Sequence, residues 1–353
     1  MISSVENPTA DVLARFDALI DVRSPAEYAE DHIPGAINLP VLDDAERARV
    51  GTIYVQESRF LARRIGAAIT ARNIARHLET ALAERDGAFH PLVYCWRGGQ
   101  RSGAMATVMD QVGWRVSVLK GGYRTYRRAV TEALYESPWP GRLVLLDGPT
   151  GVAKTDILAR AAARGAQALD LEGLAAHRGS LFGALPDQPQ PSQKAFESAL
   201  MAQMRGLDPA RPTLVEAESS KVGEINLPPG LFAAMRAAPR ILIEAPMGAR
   251  AGYLLEAYSD AVADPVRVDA ILARLPPHHG KDRRDAWREM AAQDRWLELV
   301  ESLIAFHYDP GYARAGQTDG RPILARHVLT DLSVESREAA AGVCLRLLQE
   351  SSV

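Results

Sequence analysis

Short apolar runs separated by amphipathic stretches set the outline of this chain. Leu19–Val22, Ala36–Leu39, Leu92–Tyr94 and Val116–Leu119 are compact apolar runs closed by polar or glycine-containing segments, which predicts short strands. Between them, the stretch from about Glu57 to Glu84 and the segment Ser102 to Val112 read as helices. Strands alternating with helices predict a mostly parallel sheet covered on both faces. Ser137-Pro138-Trp139-Pro140-Gly141 interrupts both periodicities, because two prolines and a glycine disfavour helix and strand alike. Residues 137–141 therefore read as a linker between a domain over 1–136 and a second over 142–353. In the second domain Leu143–Leu146, Thr213–Val215 and Ile241–Ile243 predict strands. The chain from about Tyr253 to Phe306 predicts helix, broken at Pro276-Pro277. A terminal helix is expected over Ser333–Gln349, with Ser333 as N-cap and Glu335 and Glu338 in its first turns. The expected fold class is α/β in both domains, with a helical C-terminal part.

Composition narrows the class. The 353 residues are too many for one ordinary core, and 47% hydrophobic with 24% charged residues is a globular profile. No run approaches the roughly 20 apolar residues that cross a bilayer, so no membrane partner is expected. Met1 to Asp11 has neither a basic start nor an apolar core, which predicts no signal peptide and a cytoplasmic location. The two cysteines, Cys95 and Cys344, allow at most one disulfide and no closed zinc site, and no metal site is expected from them. A net charge of −3 argues against a wholly basic nucleic-acid binder but leaves room for a local basic surface.

The first candidate chemistry sits where Leu92–Tyr94 runs into Cys95-Trp96-Arg97-Gly98-Gly99-Gln100-Arg101-Ser102. A cysteine at a strand end, followed by glycines and a helix, can be ringed by backbone N–H groups. Those donors, the helix N-terminus, Arg97 and Arg101 favour negative charge and a thiolate. A lone cysteine is more often a small buried hydrophobe, but glycines and arginines at a strand-to-helix turn reverse that expectation. The spacing of Cys95 and Arg101 also fits a cysteine phosphatase. The upstream segment Asp21-Val22-Arg23-Ser24-Pro25-Ala26-Glu27-Tyr28, followed by His32-Ile33-Pro34-Gly35-Ala36-Ile37-Asn38-Leu39-Pro40, closely resembles the rhodanese signature. That resemblance implies a small α/β domain whose cysteine carries sulfur or a related chalcogen. Asp21 and Arg23 are read as structural, and His32 as packing rather than catalytic.

The second is Gly148-Pro149-Thr150-Gly151-Val152-Ala153-Lys154-Thr155, between a predicted strand and a helix. It approximates the P-loop pattern, in which backbone N–H groups wrap a phosphate, the lysine neutralises it and the hydroxyl of Thr155 can hold a metal ion. Gly148, Thr150, Gly151, Lys154 and Thr155 are the candidate phosphate-binding residues. Ala153 stands where the pattern has glycine; a positive φ there costs alanine roughly 1 kcal/mol. Glu216 and Glu218, just after a predicted strand, are candidates for the second-strand acids of such a domain.

A rhodanese-type domain followed directly by a P-loop is an unusual pairing. The whole chain resembles the bacterial tRNA 2-selenouridine synthases. The resemblance rests on the two motifs above, on Lys120-Gly121-Gly122-Tyr123 and on the stretch from Leu171 through His177-Arg178-Gly179-Ser180. It continues through Glu216-Ala217-Glu218-Ser219 and Tyr308-Asp309-Pro310-Gly311-Tyr312, so it spans about Ile20 to Tyr312. The family implies a tRNA-modifying transferase. It geranylates wobble 2-thiouridine with geranyl diphosphate, then replaces the S-geranyl group with selenium from selenophosphate. Cys95, with Arg97 and Arg101, is then expected at selenium transfer, and the P-loop at the departing diphosphate. Both small molecules are co-substrates. No tightly bound cofactor is expected, magnesium is compatible with Thr155, and the enzyme that produces selenophosphate is a candidate protein partner. Leu181, Phe182 and Leu185 are apolar candidates for the geranyl pocket.

Contacts to tRNA need local positive charge. Arg274, Lys281, Arg283 and Arg284, with Arg267 and Arg288, form one basic cluster, interspersed with Asp269, Asp282 and Asp285. Arg124, Arg127 and Arg128 form a second. Two other readings stay open on residues alone: a rhodanese-type sulfurtransferase that serves a protein partner, with the P-loop as nucleotide-binding regulator, and a non-catalytic phosphate sensor.

Overall fold

Five strands, β1 (Ser3–Val5), β2 (Ala18–Asp21), β3 (Ala36–Asn38), β4 (Pro91–Tyr94) and β5 (Ser117–Leu119), form one sheet in the order β1-β5-β4-β2-β3. All its pairs are parallel. In the computed structural model, which describes residues 2–317 and 320–350, this sheet belongs to a unit of Met1–Ser137 with Pro191–Arg205. The other unit is Pro138–Gln190 with Gly206–Val353. Strand β4 is buried along its whole length, which is why it reads as an unbroken apolar run that stops at Cys95. Ile20, Val22, Val93, Met105, Met109 and Trp114 are among the buried residues of this core.

The second sheet contains β6 (Leu143–Asp147), β7 (Gln167–Leu169), β8 (Thr213–Glu216), β11 (Arg240–Glu244) and β12 (Ile323–Val328), in the order β12-β11-β6-β8-β7. Its pairs are also parallel. A hairpin of β9 (Lys221–Val222) and β10 (Ile225–Asn226) stands apart from it. The central β6 therefore lies between β8 and β11, and its C-terminal end delivers the chain into the glycine loop. The C-terminal helix Val334–Glu350 packs on the helix that follows this loop, Lys154–Ala163. Its start is set as expected, the Ser336 amide donating to Ser333 Oγ at 3.2 Å.

The structure departs from the sequence expectation in three places. The helix expected over about 57–84 is Arg59–Glu79, capped by Ser58, and a further helix that was not expected, Asp44–Gln56, precedes it and ends where Glu57 leaves helical geometry. The helical region over 253–306 is a set of short helices, Met247–Ala257, Ser259–Val262, Pro265–Ala273, Lys281–Ala292 and Trp296–Leu303. Asp264, whose side chain accepts from the Arg267 amide, and Pro265 start one of them, and Asp294 interrupts another with φ 55°. Finally, helix Gln193–Arg205 clusters with the first unit although it lies within the 142–353 stretch. Its Glu197 carboxylate accepts from Tyr135 at 2.6 Å and from Arg127, and its Ser198 hydroxyl donates to Asp31.

Candidate functional site

The loop after β4 is folded around the sulfur. Cys95 is 3% exposed, and its Sγ accepts from the Gly99 amide at 3.3 Å and lies 3.2 Å from Ser102 Oγ. Burial by itself pushes a thiol up. Hydrogen bonds from Ser102 and Gly99 and the positive charge of Arg101 outweigh it and hold Cys95 below its usual value. Cys344 is the contrast: burial pushes its thiol up to about 12, so it behaves as a small apolar core residue.

A second loop, Gly121-Gly122, locks the first. The amide of Tyr123 donates to the Cys95 carbonyl at 2.8 Å, and that of Arg124 to the Trp96 carbonyl at 3.2 Å. Gly122 has φ +61°, and a Cβ there would lie 2.1 Å from the Cys95 carbonyl oxygen and 2.5 Å from the Gly98 nitrogen. Only glycine allows so close an approach. Behind the loops Arg23 is 1% exposed, bonded to Asp21 through Nη2 at 2.6 Å and to the Asp31 carbonyl. Its guanidinium lies 4.1 Å from the centre of the Tyr123 ring. Asp21 and Arg23 thus tie the strand ends together. His32 stacks on Tyr28 and bonds its carbonyl, a packing role.

The two candidate arginines of this loop differ. Arg97 is exposed. Arg101 is paired, its guanidinium donating to both carboxylate oxygens of Glu27.

At the end of β6 the second loop runs from Gly148 to Thr155 and opens helix Lys154–Ala163. Gly148 and Gly151 take φ of 151° and 89°, and a Cβ on Gly148 would lie 2.3 Å from the Ile243 carbonyl oxygen. Ala153 has φ 61° and ψ 35°, so the position does demand the left-handed conformation that its residue type resists. Its methyl is buried against Val152, Ile157 and neighbouring core residues, which offsets part of that cost. Arg250, 5% exposed, bonds the Thr150 carbonyl and pairs with Asp309, pinning the loop from the side. Lys154 Nζ donates to the Gly148 carbonyl at 3.0 Å.

Around the hydroxyl of Thr155 three carboxylates converge. Thr155 Oγ1 donates to Glu172 at 2.8 Å, and Glu172, Glu216 and Glu218 each offer an oxygen within 4.8 Å of the others. Glu216 is fully buried and neither of its oxygens has a hydrogen-bond partner among the described residues. Burial, followed by the charge of Glu172, pushes Glu216 far above the usual carboxylate range and Glu218 up to about 7. A buried, unpartnered carboxylate among other acids is costly unless protons or a cation are shared among them. Glu172, unlike Glu216 and Glu218, was not singled out from the sequence; it lies inside a family-like stretch with no acid pattern of its own.

Glu172 and Glu218, with Glu216 buried behind them, line a cavity of about 530 Å³, with Lys154, Thr155, Arg178, Ser180, Tyr258 and Tyr312 among its walls. A second, narrow cavity of about 70 Å³ shares Thr150, Ser180, Leu254 and Tyr258 with it. The rest of its lining is almost wholly apolar, including Phe182, Val268, Trp296, Leu299 and Leu303. Of the three apolar residues singled out earlier, Phe182 lines this slot, while Leu181 is 39% exposed and Leu185 lines neither cavity.

The basic residues are less free than their sequence suggests. Arg127 is engaged by Glu197, while Arg124 and Arg128 are exposed. Arg288 pairs with Asp269 and Arg267 approaches Asp260. Arg284 donates to the Gly280 and Leu275 carbonyls, and Arg283 lies over the Phe306 ring. Arg274 and Lys281 are exposed.

Known proteins match both halves of the chain. The family model of the tRNA 2-selenouridine synthase AAA domain matches residues 141–270, and that of the rhodanese-like domain matches 6–129. The tRNA 2-selenouridine synthase of Cupriavidus pinatubonensis is 32% identical over 332 residues, covering 84% of this chain and 87% of the relative. That of Cupriavidus necator is 37% identical over 329 residues with the same coverage. That of Hahella chejuensis is 37% identical over 289 residues, 79% of this chain and 68% of the relative. With both sites and most of each relative's length included in these matches, the chain belongs to the tRNA 2-selenouridine synthase family and is an enzyme of that type.

Proposed function

We propose that the protein converts wobble 2-thiouridine of tRNA to 2-selenouridine in two stages, geranylation of the sulfur and its replacement by selenium. The observation that carries this reading is the junction of a phosphate cradle with an apolar slot, through Thr150, Ser180, Leu254 and Tyr258. One molecule with a diphosphate head and a short hydrocarbon tail uses both. A water needs about 10–15 Å³ of such space, so a slot of about 70 Å³ holds about five to seven groups of that size, room for the distal part of a geranyl chain whose head lies in the shared cavity.

In the first stage the base sulfur attacks C1 of geranyl diphosphate, the C1–O bond breaks and the base gives up its N3 proton. The loop amides and Lys154 stabilise the charge that builds on the departing diphosphate. Thr155, Glu172, Glu216 and Glu218 have the donor set for a magnesium ion, and the orphaned oxygens of Glu216 are what a cation would satisfy. A bound ion supplies further neutralisation of the diphosphate. In the second stage selenophosphate, an anion, binds at the Cys95 loop and Cys95 takes part in the transfer: selenium bonds to C2 of the base, the C2–S bond breaks and geranylthiol leaves with a proton, and water cleaves the P–Se bond to release phosphate. Alkylation makes the sulfur a better leaving group, which gives the first stage its purpose.

The test is nucleoside mass spectrometry of 2-thiouridine tRNA incubated with the enzyme, geranyl diphosphate and selenophosphate. Geranylated and selenated nucleosides are expected in sequence. Lys154→Ala should lose geranylation yet still selenate tRNA supplied already geranylated, and Cys95→Ala should do the reverse. Unaltered geranylation in Lys154→Ala removes the P-loop role, and a normal selenation rate in Cys95→Ala removes the cysteine role.

A further inference from the structure

An open groove of about 810 Å³ runs beside the Cys95 loop and shares Arg101 with that site. Its walls are helices Asp44–Gln56 and Arg59–Glu79 and the first turns of Gln100–Val112, the helix into which the Cys95 loop leads. The first two helices approach closely: a Cβ on Gly66 would lie 3.3 Å from Val50. Residues lining the groove include Arg47, Tyr54, Arg63, Thr70, Gln100 and Arg101.

The charge of this wall is one-sided. Helix Arg59–Glu79 carries Arg59, Arg63, Arg64, Arg72 and Arg76 against the single acid Glu79. All five arginines are exposed, and none has an ion pair among the described residues. Arg59 and Arg63 are one turn apart and so share a face of the helix. By contrast, Arg47 and Arg101 both approach Glu27, at 3.9 and 2.6 Å. Tyr54 is 43% exposed at the rim, with the Arg59 guanidinium 5.6 Å from its ring centre. An exposed basic helix alone is an ordinary solvated surface. Uncompensated guanidinium groups around an open aromatic ring are what binds unstacked nucleotides, the ring taking a base and the cations the phosphates.

We infer that this groove holds a single-stranded stretch of the tRNA, the segment that carries the base to be modified, with Tyr54 stacked on a base and Arg59 and Arg63 at phosphates. The inference rests on the reading of tRNA as substrate. It also gives the selenium step a geometry, because the groove adjoins the loop that holds Cys95.

The experiment is equilibrium binding of fluorescent tRNA to the full-length protein over a range of salt. Tyr54→Ala should weaken binding about 5- to 150-fold, the usual loss for one stacked base. The double variant Arg59→Glu, Arg63→Glu should weaken it at least 10-fold and flatten the salt dependence by roughly 0.7 per lost phosphate contact. Equal alkylation rates of Cys95 in all proteins would show that the loop is intact. If the wild type binds tRNA and both variants match it in affinity and salt slope, the groove assignment is overturned, and an acidic protein becomes the better occupant. If the wild type itself does not bind tRNA, it is the functional reading that fails.

Discussion

Arg101 is bound to Glu27, Nη1 to Oε2 at 2.6 Å, although its charge still acts on Cys95. The cation is therefore fixed in place by a carboxylate rather than left to follow a ligand. Local donors do more for the thiolate: the hydrogen bond from Ser102 outranks the charge of Arg101. The thiolate is the reacting form, so removing either helper raises the pH at which half the thiol is ionised. Arg101→Leu should move the midpoint of Cys95 alkylation to higher pH, and Ser102→Ala should move it further. Iodoacetamide rates measured against pH check both, and a larger effect from Arg101 would reverse the ranking.

Gly122 tests how tightly the two loops are interlocked. Gly122→Ala adds a methyl where 2.1 Å separates it from the Cys95 carbonyl oxygen, and at a positive φ. A stability loss of roughly 2–4 kcal/mol is expected. Gly103, in the next helix with nothing within 4 Å of an added Cβ, is the control. Gly103→Ala should be neutral or add up to about 1 kcal/mol. Urea denaturation of the two variants gives the comparison directly.

Cation binding at the carboxylates is expected to appear as thermal stabilisation. Millimolar magnesium should raise the melting temperature of the wild type by a few degrees, since a ligand of the folded state alone stabilises it by mass action. Glu216→Gln should remove most of that response. A shift of equal size in the variant would mean that magnesium acts elsewhere.

Arg250 joins the glycine loop to Asp309 from a nearly buried position. Arg250→Met leaves the Thr150 carbonyl and Asp309 without this partner, and about 2–3 kcal/mol of stability should go with it. The looser loop should also bind inorganic diphosphate more weakly. Calorimetry on the folded variant would separate the two losses; unchanged diphosphate affinity would make Arg250 purely structural.

Much of this was legible from local pattern. The run into Cys95 and the run into Gly148 each end in glycines at a strand-to-helix turn, and both loops stand where those patterns put them. Ser333 caps its helix as its spacing implied. What escaped was set by contacts distant in sequence. β1, β7 and β12 are short or mostly unburied, so they lack the apolar run that marks a central strand. The helix Asp44–Gln56 escaped because it buries only Ile53 and so shows little apolar periodicity. The partner of Thr155 is Glu172, seventeen residues away, and the apolar slot is assembled from several short helices that share no motif.

The excursion of Pro191–Arg205 into the first unit has a consequence for how the protein is made. The chain leaves the first unit after Ser137, returns at Pro191 and leaves again after Arg205. During synthesis, the half that carries Cys95 must wait for a helix encoded after the P-loop, and until then Arg127 and Tyr135 lack the carboxylate of Glu197. Folding from the N-terminus, the usual order for successive domains, can begin here before the contacts of Glu197 and Ser198 exist. The last contacts of the cysteine half are therefore added only after the phosphate loop has been translated, and a ribosome that stops before Pro191 releases it without them.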